Sequence, residues 1–153
     1  MMPTLKQLAL KTAVTQIGKC ENPLGSNWGV PVKDYLKSVG ITFPAAWCAA
    51  FVYWCFEQNA KGNNPLVKTG GVLAHWNKAD KKFRVVGEPQ AGDIFIMDFG
   101  KGLGHTGIVE SVNGDYLHTI EGNSNNTGSR NGIMVVRHIR LKKSINKGFL
   151  RYD

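Results

Sequence analysis

Cysteine is scarce in this chain: there are three in 153 residues, Cys20, Cys48 and Cys55, with no Cys-x-x-Cys pair among them. An odd count at those spacings suggests neither a disulfide framework nor a cysteine-rich zinc site, and at least one thiol should be free. Long apolar runs are missing too. No stretch approaches the roughly 20 apolar residues of a membrane helix. Lys6 and Lys11 interrupt every signal-peptide core that could be drawn near the start. The expectation is a soluble protein made in the cytoplasm without a signal peptide, so any role outside it needs another export route. Repeats, linkers and low-complexity tracts are absent. Acidic residues are few, eleven against nineteen Lys and Arg, and the resulting charge of +8 favours polyanionic partners without naming one. Nucleic acid, an anionic membrane and a bacterial cell wall all stay open.

What is present is globular composition, 42% hydrophobic and 20% charged, at the length of one ordinary domain spanning 1–153. Thr4 can cap a helix whose apolar positions Leu5, Leu8, Ala9, Ala13 and Ile17 follow a 3.6-residue period, with Gly18 as its stop. Val32, Tyr35, Leu36 and Val39 predict a second, short amphipathic helix ending at Gly40. Thr42-Phe43-Pro44 opens a third, Ala45 to about Ala60, apolar nearly all round and so expected to be the buried central helix. A short helix is expected at Leu73–Ala79. After Pro89 the pattern changes to strands: Asp93–Met97, His105–Val112, Tyr116–Glu121 and Ile133–Ile139. Helices first and strands later predict an α+β fold with an antiparallel sheet.

Cys48 is the first candidate for chemistry. In the opening turns of a helix that begins near Pro44, its thiol would feel the positive end of the helix dipole, which favours the nucleophilic thiolate. The plain alternative is a small buried hydrophobe, and Cys55, two turns deeper among aromatics, reads that way. A thiolate needs a histidine partner and a third group to orient the imidazole. His75 and His138 read as surface residues, whereas His105 follows Gly104 at the start of a strand. A three-residue turn at Val112-Asn113-Gly114 would set Glu121 opposite His105. A two-residue turn at Asn113-Gly114 would set Gly122 there and make Asn123 the better orienter. In either register His118 lies at least three residues, roughly 10 Å, along the strand from the level of His105.

With these residues assembled, the sequence resembles the cysteine, histidine-dependent amidohydrolase/peptidase (CHAP) family of peptidoglycan hydrolases. The stretches that carry the resemblance are Ala46-Trp47-Cys48-Ala49-Ala50-Phe51-Val52, Pro89-Gln90-Ala91-Gly92-Asp93-Ile94, Gly104-His105-Thr106-Gly107-Ile108-Val109-Glu110-Ser111-Val112 and Ile120-Glu121-Gly122-Asn123. Upstream, Ile17-Gly18, Glu21, Gly25-Ser26-Asn27 and Val32, Tyr35, Leu36 are similar to a bacterial and phage subgroup.

The resemblance implies a papain-like α+β fold, with the nucleophile's buried helix packed against a C-terminal antiparallel sheet. It implies a catalytic set of Cys48, His105, Glu121 and Asn123. Cys48 would attack an amide carbonyl of the peptidoglycan stem or cross-bridge, as an amidase or endopeptidase. His105 would serve as base and then acid, with Glu121 orienting it. Trp47, Asn27 and Tyr35 are assigned to substrate binding. Asn27 and Tyr35 are also candidates for an oxyanion donor beside the Cys48 backbone N–H, although Tyr35 sits on an apolar stripe as a packing residue would. A related NlpC-type arrangement would use a second histidine, His118, as third member.

No acidic cluster of the calcium-binding kind is visible, so neither metal nor other cofactor is expected. The expected setting is a monomeric phage or prophage endolysin acting on the wall or periplasm after release. The alternative is an injected antibacterial effector, which would carry a cognate immunity protein as partner. A noncatalytic wall- or nucleic-acid-binding module would instead use Arg137, Arg140, Lys142, Lys143, Lys147 and Arg151, a basic region with no acid before Asp153. Nucleic acid is not expected as a partner, because aromatics are too sparse there for a stacking platform. The His and Cys spacings match no common zinc site.

Overall fold

The structure, a computed structural model, describes residues 2–124 and 132–153. Thr4 caps α1 (Leu5–Thr15): its hydroxyl accepts the Gln7 backbone N–H while the Gln7 side chain accepts the Thr4 N–H, so two otherwise orphaned donors are satisfied reciprocally. The small residues Ala9 and Ala13 turn into the core and let α1 lie against the central helix. In α2 (Val32–Ser38) the expected apolar stripe is buried through Val32, Tyr35 and Leu36. The chain leaves that helix at Gly40, φ +83, where the Gly40 and Ile41 N–H groups close back on the Lys37 and Leu36 carbonyls.

The central helix, α3 (Cys48–Glu57), is buried at eight of its ten positions, as its composition predicts. It starts three residues later than the sequence reading has it, because Trp47 is held outside the helix by its N–H, which donates to the Asn123 side chain. Cys48 is therefore the first residue of the helix. A fourth helix, α4 (Val72–Lys78), completes the helical layer, one residue from its expected place.

The strands β1 (Ile94–Gly100), β2 (Leu103–Asn113), β3 (Tyr116–Ser124), β4 (Met134–Leu141) and β5 (Gly148–Leu150) form one antiparallel sheet in the order β4-β3-β2-β1-β5. β3 runs three residues past its expected end at Glu121, and the rest of the polar loop, 125–131, lies outside the described residues. β5 is too short to carry an alternation signal, and an ion pair just beyond its end fixes its place. Arg151 forks onto Asp93 at 2.8 and 2.9 Å, which fastens the end of the chain beside β1. The Pro89–Ile94 stretch is thereby explained as architecture: buried Asp93 also accepts the Gln90 N–H.

The β2–β3 hairpin adopts neither of the two registers that its turn residues suggest. Its turn is Gly114-Asp115, pairing Asn113 with Tyr116, and a bulge at Glu110 then shifts the register so that Ile108 faces Ile120. The parity of that pairing puts Glu121 on the same face as His105, one step along the diagonal. Helix α3 packs on this sheet, with Ala50, Phe51, Ile96, Ile108 and Ile120 in the shared core. The result is the papain-like α+β arrangement, with Cys48 on the helix and His105 and Glu121 on the strands beneath it.

Candidate active site

Three elements deliver the site: the first turn of α3 brings Cys48, the start of β2 brings His105, and the end of β3 brings Glu121. All three side chains are buried, Cys48 at 3% exposure and the other two at 0%. His105 Nε2 donates to Glu121 Oε1 at 2.8 Å, which fixes the ring's orientation. The other nitrogen, Nδ1, makes no conventional hydrogen bond and is buried. Cys48 also acts on the ring electrostatically and favours its charged form.

Burial alone would drive the imidazole toward its neutral form, but the Cys48 and Glu121 side chains outweigh it and push the His105 pKa up to about 9. For Glu121 burial again opposes charge, and the Arg140 and His105 partners overcome it, holding the carboxyl well below the usual carboxylate range. An imidazolium between a thiol and a carboxylate is the electrostatic state that favours a thiolate.

Glu121 gathers more partners than the sequence indicated. The Thr119 hydroxyl donates to Oε2 at 2.6 Å and Ser124 to Oε1 at 3.2 Å, while Arg140 reaches from β4 with Nε on Oε2 at 2.6 Å and Nη2 on Oε1 at 2.7 Å. Arg140 also lies over the Phe95 ring at 5.4 Å. A glycine makes the room: a Cβ on Gly107 would sit 2.8 Å from Glu121 Cγ. The tripeptide Glu121-Gly122-Asn123 has its own explanation at Gly122, where a Cβ would fall 2.8 Å from both Phe51 and Trp47, so only glycine allows β3 this close to α3.

Asn123 adopts a left-handed backbone, φ +55, and both ends of its amide are engaged: Oδ1 accepts the Trp47 N–H at 2.8 Å and Nδ2 donates to the Gly132 carbonyl. It holds the segment that presents Cys48. Trp47 donates its indole N–H to buried Glu21 at 2.8 Å and stacks on Tyr35 with ring centroids 5.6 Å apart. The Tyr35 hydroxyl donates to Gln16 Oε1 at 2.6 Å, and both rings are fully buried.

The substrate-binding expectation is corrected for these two residues. Trp47 and Tyr35 have no surface to offer a ligand and serve as the floor under the Cys48 segment. Asn27 is different: it lines a polar cavity of about 230 Å³ together with Glu21, Ala46 and Asn123.

Two further expectations change. His75 is not a surface residue; it is 4% exposed, its Nε2 lies 3.0 Å from the Tyr152 hydroxyl, and burial lowers its pKa to about 4. The basic C-terminal region is largely neutralised, since Arg137 pairs with Glu110, Arg140 with Glu121, Lys142 with Glu88 and Arg151 with Asp93. Arg140 could have been noticed from the alternation 136, 138, 140 on the face that pairs with Glu121, but only the register says that it reaches. His118 pairs with Ser111 and Ile139, away from His105. Among the described residues no group of three His, Cys, Asp or Glu side chains could hold a metal ion, and no helix is long and apolar enough to cross a membrane.

A family model described as the CHAP domain matches residues 40–123. No curated protein matches the chain. Among solved structures, the crystal structure of Ly7917 aligns with a TM-score of 0.58 at 19% identity, over 96% of this chain and 60% of that one. The crystal structure of Ly7917 with the hydrolyzing product of MDP gives the same score and identity over 96% of this chain and 61% of that one. The chain thus spans about three fifths of the length of the structures it matches, and at this identity the likeness is one of fold.

Proposed function

The chain belongs to the CHAP domain family, and from that premise we propose that it is a peptidoglycan hydrolase, one catalytic unit that cleaves an amide bond of the stem or cross-bridge peptide. The observation that carries this reading is the buried His105, hydrogen-bonded to Glu121 and held toward its charged form by both Glu121 and Cys48. The Ly7917 complex with the hydrolyzing product of MDP supports the substrate class.

In this mechanism the Cys48 thiolate attacks the amide carbonyl carbon and the carbonyl oxygen takes up negative charge. The Cys48 backbone N–H belongs to the first turn of α3, at the positive end of the helix dipole, and is one donor for that oxyanion. As the tetrahedral intermediate collapses, the carbon–nitrogen bond breaks and the His105 imidazolium gives its proton to the leaving amine. A thioester remains. His105, now neutral, takes a proton from water, whose oxygen attacks the thioester carbon and releases the carboxylate product and the thiolate. Glu121 keeps the ring aligned through both steps, and Asn123 keeps the nucleophile's segment in place.

Cys48→Ala tests the reading. The variant is expected to keep its fold by circular dichroism and to release no soluble fragments from purified peptidoglycan; undiminished release would refute it. Mass spectrometry of the wild-type digest then assigns the bond, since an amidase frees whole stem peptides and an endopeptidase cuts within or between them. The same chemistry serves a phage endolysin, our preferred setting, or an injected effector held in check by an immunity protein. A noncatalytic polyanion-binding module is disfavoured by the ion pairs that occupy Arg137, Arg140, Lys142 and Arg151.

A further inference from the structure

The polar cavity that reaches Ala46, two residues before Cys48, has a feature that the hydrolytic machinery leaves unused. Glu21 lines it and is 2% exposed. Its two oxygens accept the Gly25 N–H and the Trp47 indole N–H, each at 2.8 Å. Among the described residues no Lys, Arg or His pairs with it, unlike Asp93 and Glu121, the other fully buried acids, which each have an arginine. Buried carboxylates are ordinarily paired with a cation, because two neutral donors offset only part of the lost hydration. Each Glu21 oxygen keeps a lone pair for another donor.

A second residue of the cavity is also idle. Asn27 sits at φ +56, a backbone conformation with a cost for any residue but glycine, and its side-chain amide makes no hydrogen bond among the described residues. The cavity reaches Ala46, two residues before Cys48, and Asn123, which holds Trp47.

We propose that this cavity is a subsite for a primary ammonium group of the peptide substrate, with Glu21 as its counter-charge and the Asn27 amide oxygen as a further acceptor. The inference rests on the hydrolase reading above and deepens it, since it names what the enzyme recognises next to the bond it cuts. A resident metal ion is the less suitable occupant, because the cavity brings only one carboxylate and no group of three His, Cys, Asp or Glu side chains forms among the described residues. A compact ammonium, in contrast, needs few acceptors and one charge. The amine belongs either to a free N-terminus or to a diamino-acid side chain close to the scissile carbonyl.

The test uses the full chain and three muropeptide preparations: native, N-acetylated, and reductively dimethylated. Acetylation removes the positive charge, whereas dimethylation adds comparable bulk and keeps it. The wild type is expected to cleave native substrate best and the dimethylated one, which keeps the charge and a single N–H, well ahead of the acetylated one. The acetylated one should lose roughly 10- to 100-fold in kcat/KM, mostly through KM, as expected for one charge-assisted hydrogen-bond set. Glu21→Gln should lose a similar factor on native substrate and discriminate little between the three. Equal cleavage of native and acetylated material by the wild type overturns the subsite and leaves the hydrolase reading standing. Undiminished discrimination by Glu21→Gln removes Glu21 from it. No cleavage of any preparation by the wild type overturns the hydrolase reading and the subsite with it. Should Glu21→Gln fail to fold, as a thermal melt would reveal, the substrate series on the wild type decides alone.

Discussion

Arg140 and Glu121 meet as a two-point ion pair, Nε to Oε2 at 2.6 Å and Nη2 to Oε1 at 2.7 Å, and the same Oε1 receives His105 Nε2 at 2.8 Å. The carboxylate that orients the imidazole is thus itself oriented from the neighbouring strand. A planar fork fixes a carboxylate's rotation as well as its charge, which a lysine in the same place would not do.

Removing the fork should be costly. In Arg140→Met the Glu121 carboxylate keeps its burial and loses its guanidinium, and the loss is expected to be roughly 3–5 kcal/mol, as for breaking other buried pairs from one side. Urea denaturation measures it. Arg140→Lys should recover part of the stability and less of the activity, because the charge returns without the two-point geometry.

The pH profile is set by the direction of the His105 shift. With the histidine's pKa up at about 9, the imidazolium persists through neutrality, and kcat/KM should fall on the alkaline side as pH passes that value. Glu121→Gln removes one of the groups that raise it, so the alkaline limb should move to lower pH, and NMR titration of the imidazole should track it. A histidine raised in this way stabilises the folded chain fully below its ordinary pKa of 6.5 and progressively less as pH rises through about 9. An alkaline limb unmoved by Glu121→Gln would contradict the assignment.

His75 acts in the opposite sense. Burial depresses its pKa to about 4, so between 6.5 and 4 the unfolded chain takes up a proton that the folded chain refuses. Stability should be complete above pH 6.5 and decline as pH falls toward 4. His75→Gln, which keeps a polar contact available to Tyr152, should flatten that decline; an unchanged slope would show that other groups cause it.

Gly107→Ala tests the space under the site. The added Cβ would meet Glu121 Cγ at 2.8 Å, Phe95 Cε2 at 2.7 Å and the Ile120 carbonyl oxygen at 2.8 Å, and the last of these is backbone that cannot swing aside. Overpacking of this kind costs about 1–3 kcal/mol. Because the Glu121 side chain is the group displaced, activity should fall further than thermal stability, and a parallel loss of both would show that the glycine serves packing alone.

Local sequence was enough to specify the four helices, four of the five strands and a set of candidate site residues. Periodicity placed α1 and α2 to within a few residues, because an amphipathic stripe announces itself locally. The helix dipole singled out Cys48, and the glycine before His105 marked the partner strand. Motif resemblance supplied Glu121 and Asn123, with a register that local turn chemistry left undecided. Which face each residue shares was settled by the folded chain alone. The bulge at Glu110 and the Gly114-Asp115 turn set the register that brings Glu121 to His105. Only β4 alongside β3 takes Arg140 out of a stretch that reads as a basic surface and makes it the carboxylate's partner. Tyr35 and Trp47 could pass for ligand contacts until packing buried them. Glu21 was only one of the upstream residues of the resemblance until the fold placed it in a cavity with Ala46 and Asn123. Charge, burial and pairing across strands depend on neighbours distant in the chain, and no local pattern encodes those neighbours.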